Sequence, residues 1–272
     1  MTTPTMAGQD SGAPPRVHPK AIVHPGSELS EGIEIGPYSI IGPGVMIGAN
    51  TVIGPHAYVE KDTRIGRDCY VANGAVLGTD PQDRKYEGEQ TLLIVGDGTT
   101  IREFATLNRG TRSSGSTIVG SGCLVMAYSH ISHDSRIGDH VVIANSVQMG
   151  GHVVIEDWAT VGGLTAIHQF VRIGTHAFIG GASRLPKDVP PYTLAVGNPC
   201  RLHGLNSVGL ARRGFSRETR GQLKQAYRVL FNSHLNIGQA IGELRARGDL
   251  AGTEEVERLI SFIESSERGI TV

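Results

Sequence analysis

Four of the chain's 11 histidines, His130, His133, His152 and His168, fall close together in the sequence, and Asp134 directly follows His133. An imidazole titrates near neutrality, so these residues suit two kinds of chemistry. One is general acid–base work, with a neighbouring carboxylate holding the ring in place. The other is metal ligation, zinc above all. Residue type alone leaves both open. The choice depends on whether the side chains meet, and that depends on the elements carrying them.

Those elements are written in a repeat of six. Every sixth residue from Val17 to Leu185 is Val, Ile, Leu or Met, except at Asp83, Glu89 and Ser113. Glycine follows 13 of these 26 aliphatics. A period of six fits neither a helix nor a simple hairpin meander. It predicts a hexapeptide β-solenoid, in which each hexad gives a short strand and a tight turn and three hexads close one triangular coil. The glycines suit turns where φ is positive or backbones crowd. Coils spaced by ~4.8 Å give a rod roughly 40 Å long. A thin interior with no room for rings also fits the composition: 37 glycines in 272 residues, and only 5% aromatics.

Around Asp83 and Glu89 the sequence reads TDPQDRKYEGEQT, and around Ser113 it reads RGTRSSGST. Both are polar and lack the aliphatic. They are expected to be loops expelled from the coil at about 80–91 and 110–117, the first absorbing two hexads and the second one. Each should leave and return at the same corner, because the later phase is unbroken.

Residues eighteen apart then stack. His133 lies beneath Gly151 and Gln169, Asp134 beneath His152 and Phe170, and Ser132 beneath Gly150 and His168. His130 lies beneath Gln148. With the second loop discounted, Asn108 falls one coil below Ser132. The first loop emerges one coil lower still. The four histidines are therefore expected on one corner, beside the loop that carries Gln82, Asp83 and Lys85. His18, His24, His56, His140 and His176 fall elsewhere and are expected to be structural.

After Leu185 the prolines of PKDVPPY are expected to end the solenoid. A helical pattern follows from about Ser216, with Ser216 as N-cap and Leu223, Ala226, Tyr227, Leu230 and Phe231 on one face. Two more helices are expected around Ile237–Leu244 and from about Thr253. The expected organisation is a tail at 1–16 without order, a solenoid at 17–190 and a helical domain at 191–272 that caps it. Residues 200–231 carry seven Lys or Arg against one acid, Glu218. This suits phosphates or an acidic partner, with Arg212 and Arg213 ahead of the helix.

A formal net charge of −1 argues against a nucleic-acid binder. No apolar run is long enough for a membrane span, and the first residues lack a secretory signal's apolar core. Cys69, Cys123 and Cys200 are odd in number and widely spaced, which suits a reducing, cytoplasmic setting.

The segments QDRKYEGE (82–89), AYSHISHD (127–134), GGHV (150–153), GGLTAIHQF (162–170), KDVPPY (187–192) and LARRGFS (210–216) resemble the UDP-N-acetylglucosamine acyltransferase family. The resemblance covers roughly 17–272. It implies a mainly β, left-handed parallel β-helix with a C-terminal helical domain, assembled as a homotrimer with sites in clefts between subunits. The implied reaction moves a 3-hydroxyacyl chain from acyl carrier protein to the 3-position of UDP-N-acetylglucosamine, the first step of lipid A biosynthesis. No cofactor, metal or covalent acyl-enzyme is implied. His133 matches the general base, Asp134 its orienting partner and the Gly151 N–H the oxyanion donor. Gln82, Asp83, Lys85, His130, His152, His168, Gln169, Asn206 and Arg212 match substrate contacts. Gly181 matches a ruler for the acyl chain. Asn108 and Val208 depart from the family pattern, which bears on whether the acceptor group is a hydroxyl or an amine. The alternatives are transfer to a 3-amino sugar nucleotide and a zinc hydratase of the γ-carbonic-anhydrase type, which needs neither the helical tail nor the HQF and RRGF segments.

Overall fold

The computed structural model describes residues 12–248, Leu250 and residues 252–272. Of the tail expected at 1–16, residues 1–11 lie outside the described residues. Arg16 already belongs to the first strand, Arg16–Val17.

Short parallel strands recur once per hexad and stack into three sheets of 11, 9 and 8 strands among the described residues. These are the first, second and third faces of a triangular prism. The first corner joins first to second face, the second corner joins second to third, and the third corner returns to the first. Strand partners are eighteen apart, as in Arg16↔Glu34 and Val142↔Thr160. The loops fall out of register as the repeat requires: Leu77 pairs with Leu107 across the first and Leu107 with Ile131 across the second. Both loops leave the second face and return on the third, at the second corner. The first runs from Thr79 to Leu92. The second is shorter than expected, because Ser116 and Thr117 already belong to the strand Ser116–Val119.

The aliphatic of each hexad points inward. Ile41, Ile53, Ile101, Ile131, Ile143 and Ile173 are at most 1% exposed and share one continuous core. Burying such a side chain contributes about 1.5–3 kcal/mol. The glycine after the aliphatic serves close approach. A Cβ on Gly48 would lie 2.6 Å from the Arg67 nitrogen in the next coil. The positive φ of the turn falls mostly on other residues, among them Tyr38, His56, Asp134, His152, Trp158 and Phe170. Asn, Asp and His tolerate that region best, and the aromatics there stack from coil to coil outside the prism.

Two residues after the aliphatic, the turn's backbone N–H makes no backbone hydrogen bond, except at Arg109, which donates to the Thr79 carbonyl at the root of the first loop. Proline therefore costs nothing there, and it occupies Pro19, Pro25, Pro37, Pro43 and Pro55.

The prolines near 186–191 do not end the sheet. Thr193–Val196 adds a further parallel strand to the first face, and Arg201–Leu205 folds back antiparallel on it. The helices follow: α1 (Ser207–Arg212), α2 (Arg217–Phe231), α3 (Ile237–Ala246) and α4 (Glu254–Glu264). Ser216 caps α2 through the Thr219 N–H, with Glu218 in the first turn. The short α1 was not expected, and Arg212 is its last residue rather than part of a loop. Helices α2 to α4 share a core of Ala226, Leu230, Ile241, Leu244, Leu259 and Ile260. They attach to the prism where Arg172 covers the Phe262 ring and Ser266 bonds Asp188.

Candidate active site

The second corner carries the ionisable cluster. The strand His130–Ile131 lies on the second face, and the turn after it presents Ser132, His133 and Asp134. Asp134 takes the positive-φ position, with His152 and Phe170 at the same position in the two coils above. The stack is direct: the His152 and Phe170 rings lie 4.5 Å apart and nearly parallel, and His133 meets His152 edge-on at 5.4 Å.

The Asp134 side chain is fully buried and accepts four hydrogen bonds. Oδ1 accepts from the Thr111 N–H at 2.9 Å and from the Ser114 hydroxyl. Oδ2 accepts from the Thr111 hydroxyl and from His133 Nδ1, each at 2.8 Å. Burial pushes this carboxyl up. The bonds from Ser114, His133 and Thr111 outweigh burial and bring it down from 3.8 to about 2. It is therefore ionised at neutral pH, and the stability it contributes is lost only as pH falls from 3.8 through about 2.

A carboxylate can only accept, so His133 carries its proton on Nδ1 and leaves Nε2 as a lone pair. The imidazole lies flat on Gly151: a Cβ there would fall 2.5 Å from Cε1 and 2.7 Å from Nε2. The buried Gly151 N–H occupies the turn position that proline fills elsewhere, and it finds no acceptor among the described residues. An imidazole lone pair and an unclaimed N–H thus stand side by side.

His130 projects from the second face, half-buried, with Nδ1 2.7 Å from the Thr106 hydroxyl. Burial and His133 lower its pKa. Burial also lowers that of His152, against the pull of Asp134 and Asp83. His168 is exposed at the same corner and donates Nδ1–H to the Gln169 carbonyl at 3.1 Å. Gln169 and Gln82 are exposed, as is Lys85, whose backbone N–H bonds Asp83 at 3.0 Å.

The loop carrying Gln82, Asp83 and Lys85 is tied to the prism by Asn108 and by two arginines, Arg109 and Arg112, that sequence reasoning did not single out. Arg109, its side chain 3% exposed, pairs with Asp80 and donates to the Tyr86 hydroxyl at 3.1 Å. Asn108 donates to Thr79 and to the Asp80 carbonyl, while its buried Oδ1 has no partner among the described residues. Arg112 joins Glu87 and Glu89 across the two loops. Thr106, Thr111 and Ser114 were also missed. The hydroxyl-rich sequence of the second loop was the available signal.

Not every expected contact gathers here. Asn206 caps α1, accepting from the Gly209 N–H and donating to the His176 carbonyl, each at 3.0 Å. This is the third corner, where His176 stacks with Trp158 and Tyr192 and meets Phe215 edge-on. Burial and then the Arg213 and Arg258 charges lower His176 to about 4, as suits a structural ring. Arg212 is exposed at the end of α1, next to Arg213, which covers the Trp158 ring at 3.8 Å. Val208 is exposed in α1. Gly181 stands at the first corner, over the Gly163 carbonyl. Within one chain the expected contacts are thus spread over three edges.

Ligand atoms of His133, Asp134 and His152 lie within 4.8 Å of one another, close enough for a metal on distance alone. Both Asp134 oxygens, however, are already engaged by four hydrogen bonds, one of them from His133 itself, which a cation on Asp134 would have to displace. The set is organised as a carboxylate–imidazole pair.

A hexapeptide prism bearing a carboxylate-held imidazole at its corner fits a hexapeptide-repeat transferase. The pattern described as bacterial transferase hexapeptide matches residues 45–79 and 116–151, and domain 2 of UDP-N-acetylglucosamine O-acyltransferase matches residues 188–271. The acyl-[acyl-carrier-protein]–UDP-N-acetylglucosamine O-acyltransferase of Paraburkholderia phymatum is 50% identical over 94% of this chain and 98% of that protein. Its counterpart in Anaeromyxobacter dehalogenans is 47% identical over 94% and 99%. Among solved structures, LpxA of Acinetobacter baumannii is 42% identical with a TM-score of 0.90, covering 94% of this chain and 99% of that one. LpxA of Bacteroides fragilis, a UDP-N-acetylglucosamine acyltransferase, gives 38% and 0.91 over the same shares. The chain belongs to the UDP-N-acetylglucosamine O-acyltransferase family. It is an acyltransferase, and its fold is a left-handed parallel β-helix with a C-terminal helical bundle.

Proposed function

We propose that the chain transfers a 3-hydroxyacyl group from acyl carrier protein to the 3-hydroxyl of UDP-N-acetylglucosamine, the first step of lipid A biosynthesis. The observation that carries the mechanism is the His133–Asp134 pair laid against Gly151. His133 Nε2 takes the proton of the sugar hydroxyl as the oxygen attacks the thioester carbonyl. The carbonyl oxygen gains charge and is met by the Gly151 N–H. Asp134 stabilises the imidazolium that forms. The intermediate then expels the carrier thiolate, which takes the proton back from Nε2, leaving an ester and a free thiol. His130, His152, His168 and Gln169 are placed to bind the sugar and donor, together with the loop of Gln82, Asp83 and Lys85.

The third-corner residues Asn206 and Arg212 fit this reading if a second copy sets its third corner against the second corner of the first. Three prisms arranged so close a ring, which is the homotrimer we propose. In that ring, a glycine at 181 leaves room for the acyl chain. The cationic run from Arg201 to Arg228 suits an acidic carrier protein. A carrier-protein donor and a nucleotide-sugar acceptor suit a cytoplasmic enzyme, which is the location this reading takes. No helix among the described residues is long and apolar enough to cross a membrane.

The test is a product assay. Purified protein is offered a panel of 3-hydroxyacyl carrier proteins with UDP-N-acetylglucosamine or its 3-amino analogue, and products are read by mass. We expect an ester of UDP-N-acetylglucosamine. An amide formed in preference would shift the acceptor to the amino sugar. No transfer to either, with carbon dioxide hydration dependent on bound zinc, would replace the reading altogether.

A further inference from the structure

We propose that Thr111 and Ser114, on the second expelled loop, are positioning residues for the transfer: together they hold the Asp134 carboxylate so that it faces His133 and not His152. The inference rests on the reading of His133 as the base and gives the second expelled loop, which also anchors the first through Arg112, a task at the site itself.

Two imidazoles compete for Asp134 Oδ2. His133 Nδ1 lies at 2.8 Å and His152 Nε2 at 3.5 Å. The first is a hydrogen bond, and the second is beyond ordinary reach. Rotation of the carboxylate about its own axis would exchange oxygens and shift this balance. The loop prevents that by fixing both oxygens. The Thr111 N–H and hydroxyl grip one each, at 2.9 and 2.8 Å, and the Ser114 hydroxyl joins the N–H on Oδ1. The Ser114 oxygen also lies 3.0 Å from the Ser116 carbonyl. Its single proton goes to the charged oxygen, the stronger acceptor. The Thr111 oxygen accepts the Ser113 N–H at 3.2 Å, which leaves its proton for Asp134. Three of the four acceptor sites are thus filled by the loop, and the fourth is left for His133. Thr111 is 7% exposed and Asp134 4%, so water does not readily substitute for a lost hydroxyl.

The test compares Thr111→Val, Thr111→Ser, Ser114→Ala and the Thr111→Val/Ser114→Ala pair in the full-length enzyme. Valine keeps the shape and the backbone N–H but removes the hydroxyl. A hydrogen bond to a charged group is worth roughly tenfold or more in rate where it acts in the transition state. We expect Thr111→Val to lower kcat about tenfold and the pair about a hundredfold, with KM for either substrate changed by less than about threefold. Thr111→Ser should stay within about threefold of wild type. In an Asp134→Ala background, Thr111→Val should cost no further kcat, because the carboxylate it holds is gone.

Three results would overturn the clamp: a rise in KM with kcat unchanged, equal losses for Thr111→Ser and Thr111→Val, or a Thr111→Val loss that persists in full in Asp134→Ala. If the double variant does not fold, the comparison of Thr111→Val with Thr111→Ser decides alone. Any of these results together with an inactive His133→Ala removes only the clamp. Wild-type turnover in His133→Ala removes the base, and the clamp with it.

Discussion

His133→Ala is expected to lower kcat by about a thousandfold or more while leaving the fold intact. A positioned base contributes roughly 10²–10⁴ on its own, and here the same group also returns the proton to the leaving thiolate. The fold should tolerate the change because the ring lies outside the prism, on a corner whose interior is built by Ile131 and Ile137. The local cost is the loss of one of the four bonds to Asp134, and the other three remain. Turnover at saturating concentrations of both substrates, with circular-dichroism melting as the control, separates the two effects. A variant with near wild-type turnover would dismiss His133 as the base. A variant that melts far below wild type would make the ring structural.

Gly151→Ala is the second large effect. The new methyl would stand 2.5 Å from His133 Cε1 and 2.7 Å from Nε2, closer than real Cβ contacts allow. The imidazole must swing away, and its lone pair leaves the position beside the Gly151 N–H. We expect a loss of about 10²–10³ in kcat, comparable to removing an oxyanion donor or misplacing a base. Gly221→Ala, where a Cβ meets nothing within 4 Å, controls for the glycine-to-alanine change itself. If Gly151→Ala and Gly221→Ala behaved alike, the close approach of ring and glycine would have no part in catalysis.

The six-residue period carried most of this to the sequence level. It set the faces, the eighteen-residue register and the second corner as the meeting point of His133, His152 and His168, and it survived two expelled loops because each removed whole hexads. The same count already sets Gly181 apart from Gly151, since a displacement of thirty residues does not close a coil. The remainder was not periodic. Thr111 and Ser114 lie in a loop whose path no repeat dictates, so their grip on Asp134 was not legible. Asn206 and Arg212 begin and end a six-residue helix that follows an antiparallel strand, and neither element was legible behind the prolines before them. Positive φ was assigned to glycine, yet the corner stacks are built by aromatic and imidazole side chains in that conformation. Those stacks are what align His152 over Asp134.

The most direct test is a crystal structure with UDP-N-acetylglucosamine bound. The account requires the sugar 3-oxygen to lie within hydrogen-bond reach of His133 Nε2, about 2.6–3.2 Å, with the nucleotide extending toward Asn206 and Arg212 of an adjoining copy. A sugar seated at the first or third corner of a single prism, remote from His133, would contradict it.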